Sequence, residues 1–310
     1  MHTIEIPEAN IKRYIPAELS ECNAKEYIDI CELIFQMMCG QITFEDLKVH
    51  AIYKLMKMQP VSETLLPDDD EKKFSNITFL SELIEGFFEL NNENQKVIKQ
   101  NYLHNPVPSF KPLLKTYYGP SDQFTNITFG EYNDALRLFL QFNVSADIDL
   151  LYKIAAILYR PKKPFHFILS KLNNYDGDIR IQYNSSHIDK RANQLKYAPM
   201  GFIYGVYLFF ASFQKIISTA TLPWAGRNLD LSILFTPDPN DVSIDVGKDD
   251  IGMDRIMFAM AESGVFGSPK ELAKTNLWIV LVRMYDSRLN DLKQKKQEEN
   301  AKSNTPQSIS

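Results

Sequence analysis

The sequence contains little glycine, histidine or cysteine. Its 310 residues include 12 glycines, 5 histidines and 3 cysteines. Scarce glycine argues against glycine-rich cofactor loops and a turn-dense all-β fold, because glycine supplies the left-handed backbone that tight turns need. Cys22, Cys31 and Cys39 are odd in number, and their spacing fits neither a zinc nor a redox motif, so we expect a reducing compartment. The sequence therefore predicts no cofactor and no metal.

Motifs that indicate catalysis are also missing. The sequence has no G-x-S-x-G, no Walker phosphate loop, no G-x-G-x-x-G and no H-E-x-x-H. His187 lies between Ser186 and Asp189, but side chains this close in sequence do not face one another as a catalytic triad requires. We predict that the protein is not an enzyme. Catalytic carboxylates that converge only in the fold remain an open alternative.

The chain has no strong excess of one charge. Its formal net charge is -5 and its pI is about 5.6, which gives no general attraction to nucleic acid or to an anionic membrane. Arg160, Lys162 and Lys163 form a basic cluster interleaved with prolines, which we interpret as a connector. No apolar leader opens the sequence. We therefore expect a cytoplasmic protein with no nucleic acid partner and no membrane partner.

One stretch is apolar and long enough to raise the question of a membrane span. No charged residue lies between Lys196 and Lys215, and Phe202–Phe213 is strongly apolar. The stretch is at the lower length limit for a spanning helix and contains proline and glycine. We favour a buried core helix, with a membrane span as the alternative.

Helical periodicity dominates the rest of the chain, of which 45% is apolar. Apolar residues recur in steps of three and four from Ala24 to Met38, and Gly40 ends this helix. Thr43 is placed to cap a second helix. Further helices are predicted from Thr128 and over 148–159, 253–262 and 276–289. The fold class is therefore mainly α, an irregular multi-helix bundle with at most a small β-hairpin insertion, formed by 229–233 and 242–246.

Prolines and composition suggest three units. Four prolines within 104–121 rule out a continuous helix there, so we place a domain boundary in this segment. Residues 1–110 would form an N-terminal helical module and 111–290 the main helical domain. Residues 165–190 are ambiguous, with 179–183 alternating like a short strand. Residues 291–310 are predicted to be a disordered tail, because no apolar anchor follows Leu292.

The tripeptide Ile-Thr-Phe occurs at 42–44, 77–79 and 127–129. One interpretation is an internal duplication. The other is that this tripeptide starts helices, with an apolar residue before a capping hydroxyl; Thr128 and Glu131 have the spacing of a capping box. The irregular spacing of the three copies favours helix starts.

Two stretches resemble a known group of proteins. The first is 119–132, rich in aromatic residues, followed by Ala-Ile-Leu-Tyr-Arg-Pro at 156–161; the second is Ala-Glu-Ser-Gly-Val-Phe-Gly at 261–267, followed by the helix through 276–281. Together they resemble bacteriophage and prophage proteins of the tail-assembly-chaperone type, over roughly 115–290. Residues 1–110 have no part in the resemblance, and their role stays open.

The resemblance implies a helical, non-catalytic protein that binds the tape measure protein and helps to recruit tube subunits in the cytoplasm of a bacterial host. We place its partner-binding surface on six side chains, although core packing explains their periodicity equally well and is the interpretation we favour. They are Met257, Phe258, Met260, Phe266, Trp278 and Tyr285. The alternative is a structural virion component, such as a connector or tail-completion protein. The sequence does not indicate the oligomeric state or the host.

Overall fold

The computed structural model describes residues 1–6, 11–58, 70–173, 175–224, 226–235 and 268–303. The helices in these ranges are α1 (Ala24–Met38), α2 (Phe44–Met56), α3 (Asp70–Ser81), α4 (Phe129–Ser145), α5 (Ile148–Leu158), α6 (His166–Leu169), α7 (Ile188–Leu195), α8 (Met200–Thr219), α9 (Pro269–Lys274) and α10 (Leu277–Ser303). Short strands and 3₁₀ turns connect them. The prediction of a mainly α protein is confirmed.

The strands are β1 (His2–Ile6), β2 (Ile11–Ile15), β3 (Phe88–Leu90), β4 (Lys96–Ile98), β5 (Ser109–Phe110), β6 (Tyr117–Tyr118), β7 (Arg160–Pro161), β8 (Thr221–Trp224) and β9 (Arg227–Asp230). They pair as antiparallel hairpins β1–β2, β3–β4 and β8–β9, and as a three-stranded sheet in the order β5-β6-β7. The prediction of at most one hairpin is therefore wrong. Short pairs closed by local turns carry too little periodicity to be recognised in a sequence.

The position of the predicted hairpin also differs. Its first strand was expected at 229–233, but β9 ends at Asp230 and a 3₁₀ turn follows over Leu231–Leu234. The partner of β9 is β8, which precedes it in the chain. The predicted second strand, 242–246, lies outside the described residues. The expected strand at 179–183 is reduced to an isolated bridge between Lys162 and Arg180.

Local capping explains the first two helices. Asn23 accepts hydrogen bonds at the start of α1 while Glu26 reaches back to it, and Thr43 forms the same capping box with Asp46 at the start of α2. α1 ends at Met38, and Gly40 follows with a φ of 70°. Both helices bury one face in the core, as the apolar spacing predicts.

The three Ile-Thr-Phe copies have different positions in the fold. Thr43 and Thr128 are the N-caps of α2 and α4, which agrees with the helix-start interpretation. Thr78 lies inside α3 instead. At α4 the capping box is incomplete: Thr128 Oγ1 accepts the Glu131 N–H, whereas the Glu131 carboxylate contacts buried arginines.

α8 is the central helix. Most of its side chains are buried, and α1 packs along it so closely that a Cβ at Gly201 would lie 2.2 Å from the carbonyl oxygen of Ile28. Among the described residues, α8 alone is long and apolar enough to cross a membrane, and 72% of its apolar window is buried inside the fold. The helix thus occupies the core position that the sequence analysis favoured.

One hydrophobic core runs through the described chain. It includes Tyr27 and Ile52 from the predicted N-terminal module and Phe124, Phe209 and Leu281 from the predicted main domain. The predicted boundary near residue 110 therefore does not divide the core. Its prolines lie in the turns around β5 and β6. The division into domains stays a prediction.

The last helix is longer than predicted. α10 continues to Ser303, so residues 291–303 of the predicted disordered tail are helical. Lysine, glutamine, glutamate and alanine dominate this part, and these residues favour helix even without packing. Residues 304–310 lie outside the described residues.

Candidate binding surfaces

Four of the six predicted partner-binding residues lie outside the described residues: Met257, Phe258, Met260 and Phe266. Trp278 lies in the core, with 2% of its surface exposed. Its indole N–H donates to the carbonyl oxygen of Gln123 at 2.8 Å, and its ring meets Phe213 edge-on. Tyr285 is half-buried at the edge of the core. Trp278 therefore packs in the core, which is the role that was favoured for the six side chains from their periodicity.

The described parts of the two stretches that carry the resemblance, 119–132 and 276–281, meet in space, while 261–267 lie outside the described residues. Thr128 and Asn276 form an isolated β-bridge. Two backbone hydrogen bonds connect the two segments: Phe129 N–H donates to Thr275 O at 2.8 Å, and Leu277 N–H donates to Ile127 O at 2.9 Å. This contact fixes the start of α10 against the start of α4.

α10 starts in the core and extends beyond it toward its C-terminal end. One face of its first two turns is buried, but the described side chains from 290 to 297 are exposed. Tyr285, Leu289 and Leu292 follow one another at steps of four and three, so they continue the apolar stripe of the helix beyond its buried start. Leu292 is already 38% exposed. A helix of 27 residues spans about 40 Å, so a large part of α10 lies beyond the core.

A second surface consists of two loops whose large apolar side chains point into solvent. We name it the apolar loop face. Its members and their exposed fractions are Leu113 (61%), Leu114 (94%), Phe165 (78%), Phe167 (72%), Ile168 (58%) and Leu172 (50%). A water-soluble surface rarely collects this many exposed apolar side chains in two short segments, and such patches usually mark interaction sites.

The topology of the three-stranded sheet brings the two loops together. Residues 111–116 connect β5 to β6, so they leave the sheet where β6 begins. Tyr117 at the start of β6 pairs with Pro161 at the end of β7, and the second loop leaves the sheet directly after Pro161. Both loops therefore emerge at the same end of the sheet.

Lysines border both loops. Lys111 and Lys115 flank the Leu113-Leu114 pair, while Lys162, Lys163 and Lys171 flank the second loop. No acidic residue occurs between 100 and 121 or between 150 and 175. Lys163 is paired with Asp176 at 2.6 Å, and the Lys171 ammonium lies 4.1 Å from the centre of the Phe167 ring. The face is thus apolar at its centre and cationic at its border.

The second loop is closed at its base by backbone pairing. Lys163 N–H donates to Ile179 O at 2.9 Å, and Ile181 N–H donates to Pro161 O at 2.8 Å. These bonds bring the two ends of the loop side by side, next to the bridge between Lys162 and Arg180. These backbone bonds therefore hold the two ends of the loop together at its base.

Buried charges hold this base. Arg160 and Arg180, on its two sides, are 1% and 0% exposed. Both contact the buried carboxylate of Glu131, at 2.7 and 2.8 Å, and both contact Asp178, at 3.2 and 2.9 Å. Burial alone would lower the pKa of Arg180, but the charges of Glu131 and Asp178 outweigh it and the pKa is raised. Arg180 therefore stays charged and paired.

The cluster continues to Arg191 on α7. Arg191 Nε donates to Ala156 O at 2.8 Å, whereas its Nη1 and the second oxygen of Glu131 have no hydrogen-bond partner among the described residues. Burial lowers the pKa of Arg191, and the charge of Arg160 lowers it further. Nearby, Tyr183 donates to Asp134, and burial together with this carboxylate raises the pKa of the Tyr183 hydroxyl. The carboxylates offset the guanidinium groups, so the cluster is suited to holding the fold together.

No group of three metal-binding side chains occurs among the described residues. His166 contacts the Tyr175 hydroxyl at 2.9 Å inside the second loop. The predictions of no metal and no cofactor stay predictions for the whole chain.

The sequence analysis did not identify the apolar loop face. Residues 165–190 were ambiguous, and Arg160, Lys162 and Lys163 were interpreted together as a connector. The available signal was the run Phe-His-Phe-Ile-Leu at 165–169 between lysines, which fits neither helical nor strand periodicity.

Comparison of the chain with models of protein families, with characterised proteins and with solved structures finds no match.

Proposed function

We propose that this protein is a non-catalytic assembly factor of phage tails, which binds a helical partner such as the tape measure protein along α10. The observation that carries the proposal is the apolar stripe of Tyr285, Leu289 and Leu292, which continues from the core into the exposed part of a long helix. An amphipathic helix that extends beyond its own core can pair with a partner helix through such a stripe.

The family resemblance supplies the biological setting of the proposal. The tape measure protein is the expected partner, and tube subunits are the expected second contact. The start of α10 is fixed by the bridge between Thr128 and Asn276, so partner binding along the outer part of α10 leaves the fold undisturbed. A structural virion component, either connector or tail-completion protein, is the second candidate, because the same stripe would serve a permanent contact in the particle.

A pull-down tests the proposal. The tagged full-length chain is produced together with the neighbouring tail genes, and the bound proteins are identified by mass spectrometry. We expect a long helical protein with the native chain, and its loss with the triple variant Tyr285→Asp, Leu289→Asp, Leu292→Asp. The matched control is Ser287→Asp, Asn290→Asp, which adds charge to exposed positions on another side of the same helix.

Analysis of purified particles separates the two candidates. An assembly factor is absent from finished particles, whereas a structural component is present in a fixed ratio to the tube subunits. Equal recovery of the partner by the triple variant and the control would exclude α10 as the binding surface. Recovery of the chain alone would contradict the assembly role.

A further inference from the structure

We infer that the apolar loop face docks onto an anionic lipid bilayer. In this arrangement Leu114, Phe165 and Phe167 enter the boundary between headgroups and acyl chains, and the bordering lysines contact anionic headgroups. The inference is independent of the proposed function, because it concerns a different surface from α10. It departs from the expectation of no membrane partner, which was drawn from the net charge of the whole chain and not from this local surface.

The exposure of the apolar side chains is the first argument. Leu114, Phe165 and Phe167 are 94%, 78% and 72% exposed, so these side chains are surrounded by solvent instead of by walls of a groove. A rigid protein partner would need deep pockets to bury side chains that protrude this far. A bilayer closes around protruding side chains without matching their shape, and interfacial binding increases with the apolar area that is buried.

The distribution of charge is the second argument. The chain as a whole carries a net charge of -5, yet the two apolar segments, 111–116 and 162–172, hold five lysines and no acidic residue. Asp176, later in the second loop, pairs with only one of these lysines, Lys163. An anionic membrane attracts basic segments within about one Debye length of its surface and repels the acidic remainder. This asymmetry orients the protein with the apolar loop face toward the membrane.

The fixed base of the second loop is the third argument. Phe165 adopts a left-handed backbone with a φ of 55°, which is unfavourable for a bulky side chain and reverses the chain after Pro164. Its carbonyl oxygen then accepts the N–H groups of Ile168 and Leu169 at 2.9 and 3.1 Å. The bonds at the base and the buried arginines hold this conformation. The apolar side chains are therefore presented to solvent by a loop whose base is held by these contacts.

Vesicle co-sedimentation of the full-length chain tests the inference. We expect the chain to sediment with vesicles made of equal amounts of phosphatidylcholine and phosphatidylglycerol, and to stay in solution with phosphatidylcholine alone. High salt should weaken the binding, because lysines contribute to it. The variant Leu114→Ser, Phe167→Ser should lower the partition coefficient at least about tenfold, since it removes most of the inserted apolar surface.

Two further variants complete the test. Lys111→Glu, Lys115→Glu should abolish the preference for anionic vesicles while thermal unfolding stays unchanged. Phe79→Ser is the matched control, because Phe79 is 70% exposed but lies on α3, outside the face, and it should bind like the native chain. Sedimentation of the native chain with neither vesicle, or an equal loss with Phe79→Ser, would overturn the inference. Loss of a protein partner by the loop variants without any vesicle binding would assign the face to a protein instead.

Discussion

Arg160 and Arg180 converge on one oxygen atom: the Nη1 groups of both arginines lie within 2.7 and 2.8 Å of Glu131 Oε1. Arg160 belongs to β7, which leads into the second loop, and Arg180 follows its end, while Glu131 lies in the first turn of α4. One buried carboxylate thus connects both ends of an exposed loop to the central fold. Because all three side chains are almost fully buried, the contacts are shielded from competing water.

Replacing Glu131 by glutamine should destabilise the protein by about 3 kcal/mol, because it leaves two buried guanidinium groups with less than their full counter-charge. Urea unfolding measures the change. Trypsin cleavage after Lys171, on the exposed loop, should become faster when the base of the loop loosens. Glu93→Gln is the control, since Glu93 is exposed. An unchanged unfolding midpoint for Glu131→Gln would show that the ion cluster is not needed for stability.

Replacing Gly201 by alanine should destabilise the contact between α1 and α8. The added Cβ would lie 2.2 Å from the carbonyl oxygen of Ile28, and the Gly201 N–H also donates to the Glu32 carboxylate. Overpacking of this kind costs about 1–3 kcal/mol. Gly205→Ala should cost less, because its Cβ meets the side chain of Tyr27 at 2.7 Å and no backbone atom at that distance.

Thermal and urea unfolding of both glycine variants give the comparison, with Ser218→Ala as the control. Ser218 lies in the last turn of α8 and bonds only within its own helix, to Lys215 O at 3.0 Å. The control should change the stability by less than about 0.5 kcal/mol. If Gly205→Ala proved more harmful than Gly201→Ala, the close approach of the two helix backbones would not be the limiting contact.

The helices could be predicted because their determinants are local. Asn23 with Glu26 and Thr43 with Asp46 are separated by three residues, so the sequence itself displays both capping boxes. The apolar periodicity of α1, α2 and α5 similarly depends on neighbours three and four residues apart. These features are properties of a single helix, and the rest of the fold does not change them.

The candidate surfaces could not be predicted because their determinants are distant. Arg160 stands two residues before Lys162 in the sequence, yet Arg160 is 1% exposed and Lys162 is at the surface. Only the fold brings Glu131 and Asp178 to Arg160. Likewise the run at 165–169 has the composition of a core segment, and its exposure follows from the pairing of β6 with β7, which directs both loops away from the core.

Trp278 and Tyr285 should respond differently to substitution, although they were predicted to share one surface. Trp278→Ala removes a buried ring and leaves the Gln123 carbonyl without its donor, so we expect a loss of about 3–5 kcal/mol. Tyr285→Asp changes a half-buried residue and should cost less than half as much. Urea unfolding of the single variants measures both. Equal losses would mean that Tyr285 belongs to the core as fully as Trp278 does.

Glu18 should make stability depend on pH. Its carboxylate accepts hydrogen bonds from Lys99, Ser20 and Asn101, and these, led by that of Lys99, lower its pKa from 4.5 to about 2. A lowered pKa in the folded state means that the ionised group stabilises the fold above pH 4.5, and that this contribution is lost as the pH falls toward about 2.

Both Glu18 and Lys99 remain partly in contact with water, so screening reduces the contribution to about 1 kcal/mol. Glu18→Gln should therefore be less stable than the native chain at neutral pH. The difference in the free energy of unfolding should shrink toward zero as the pH approaches about 2. Urea unfolding of both chains at several pH values measures the difference, and Glu93→Gln should show none. A difference that stayed constant down to pH 2 would mean that Glu18 acts through packing and not through its charge.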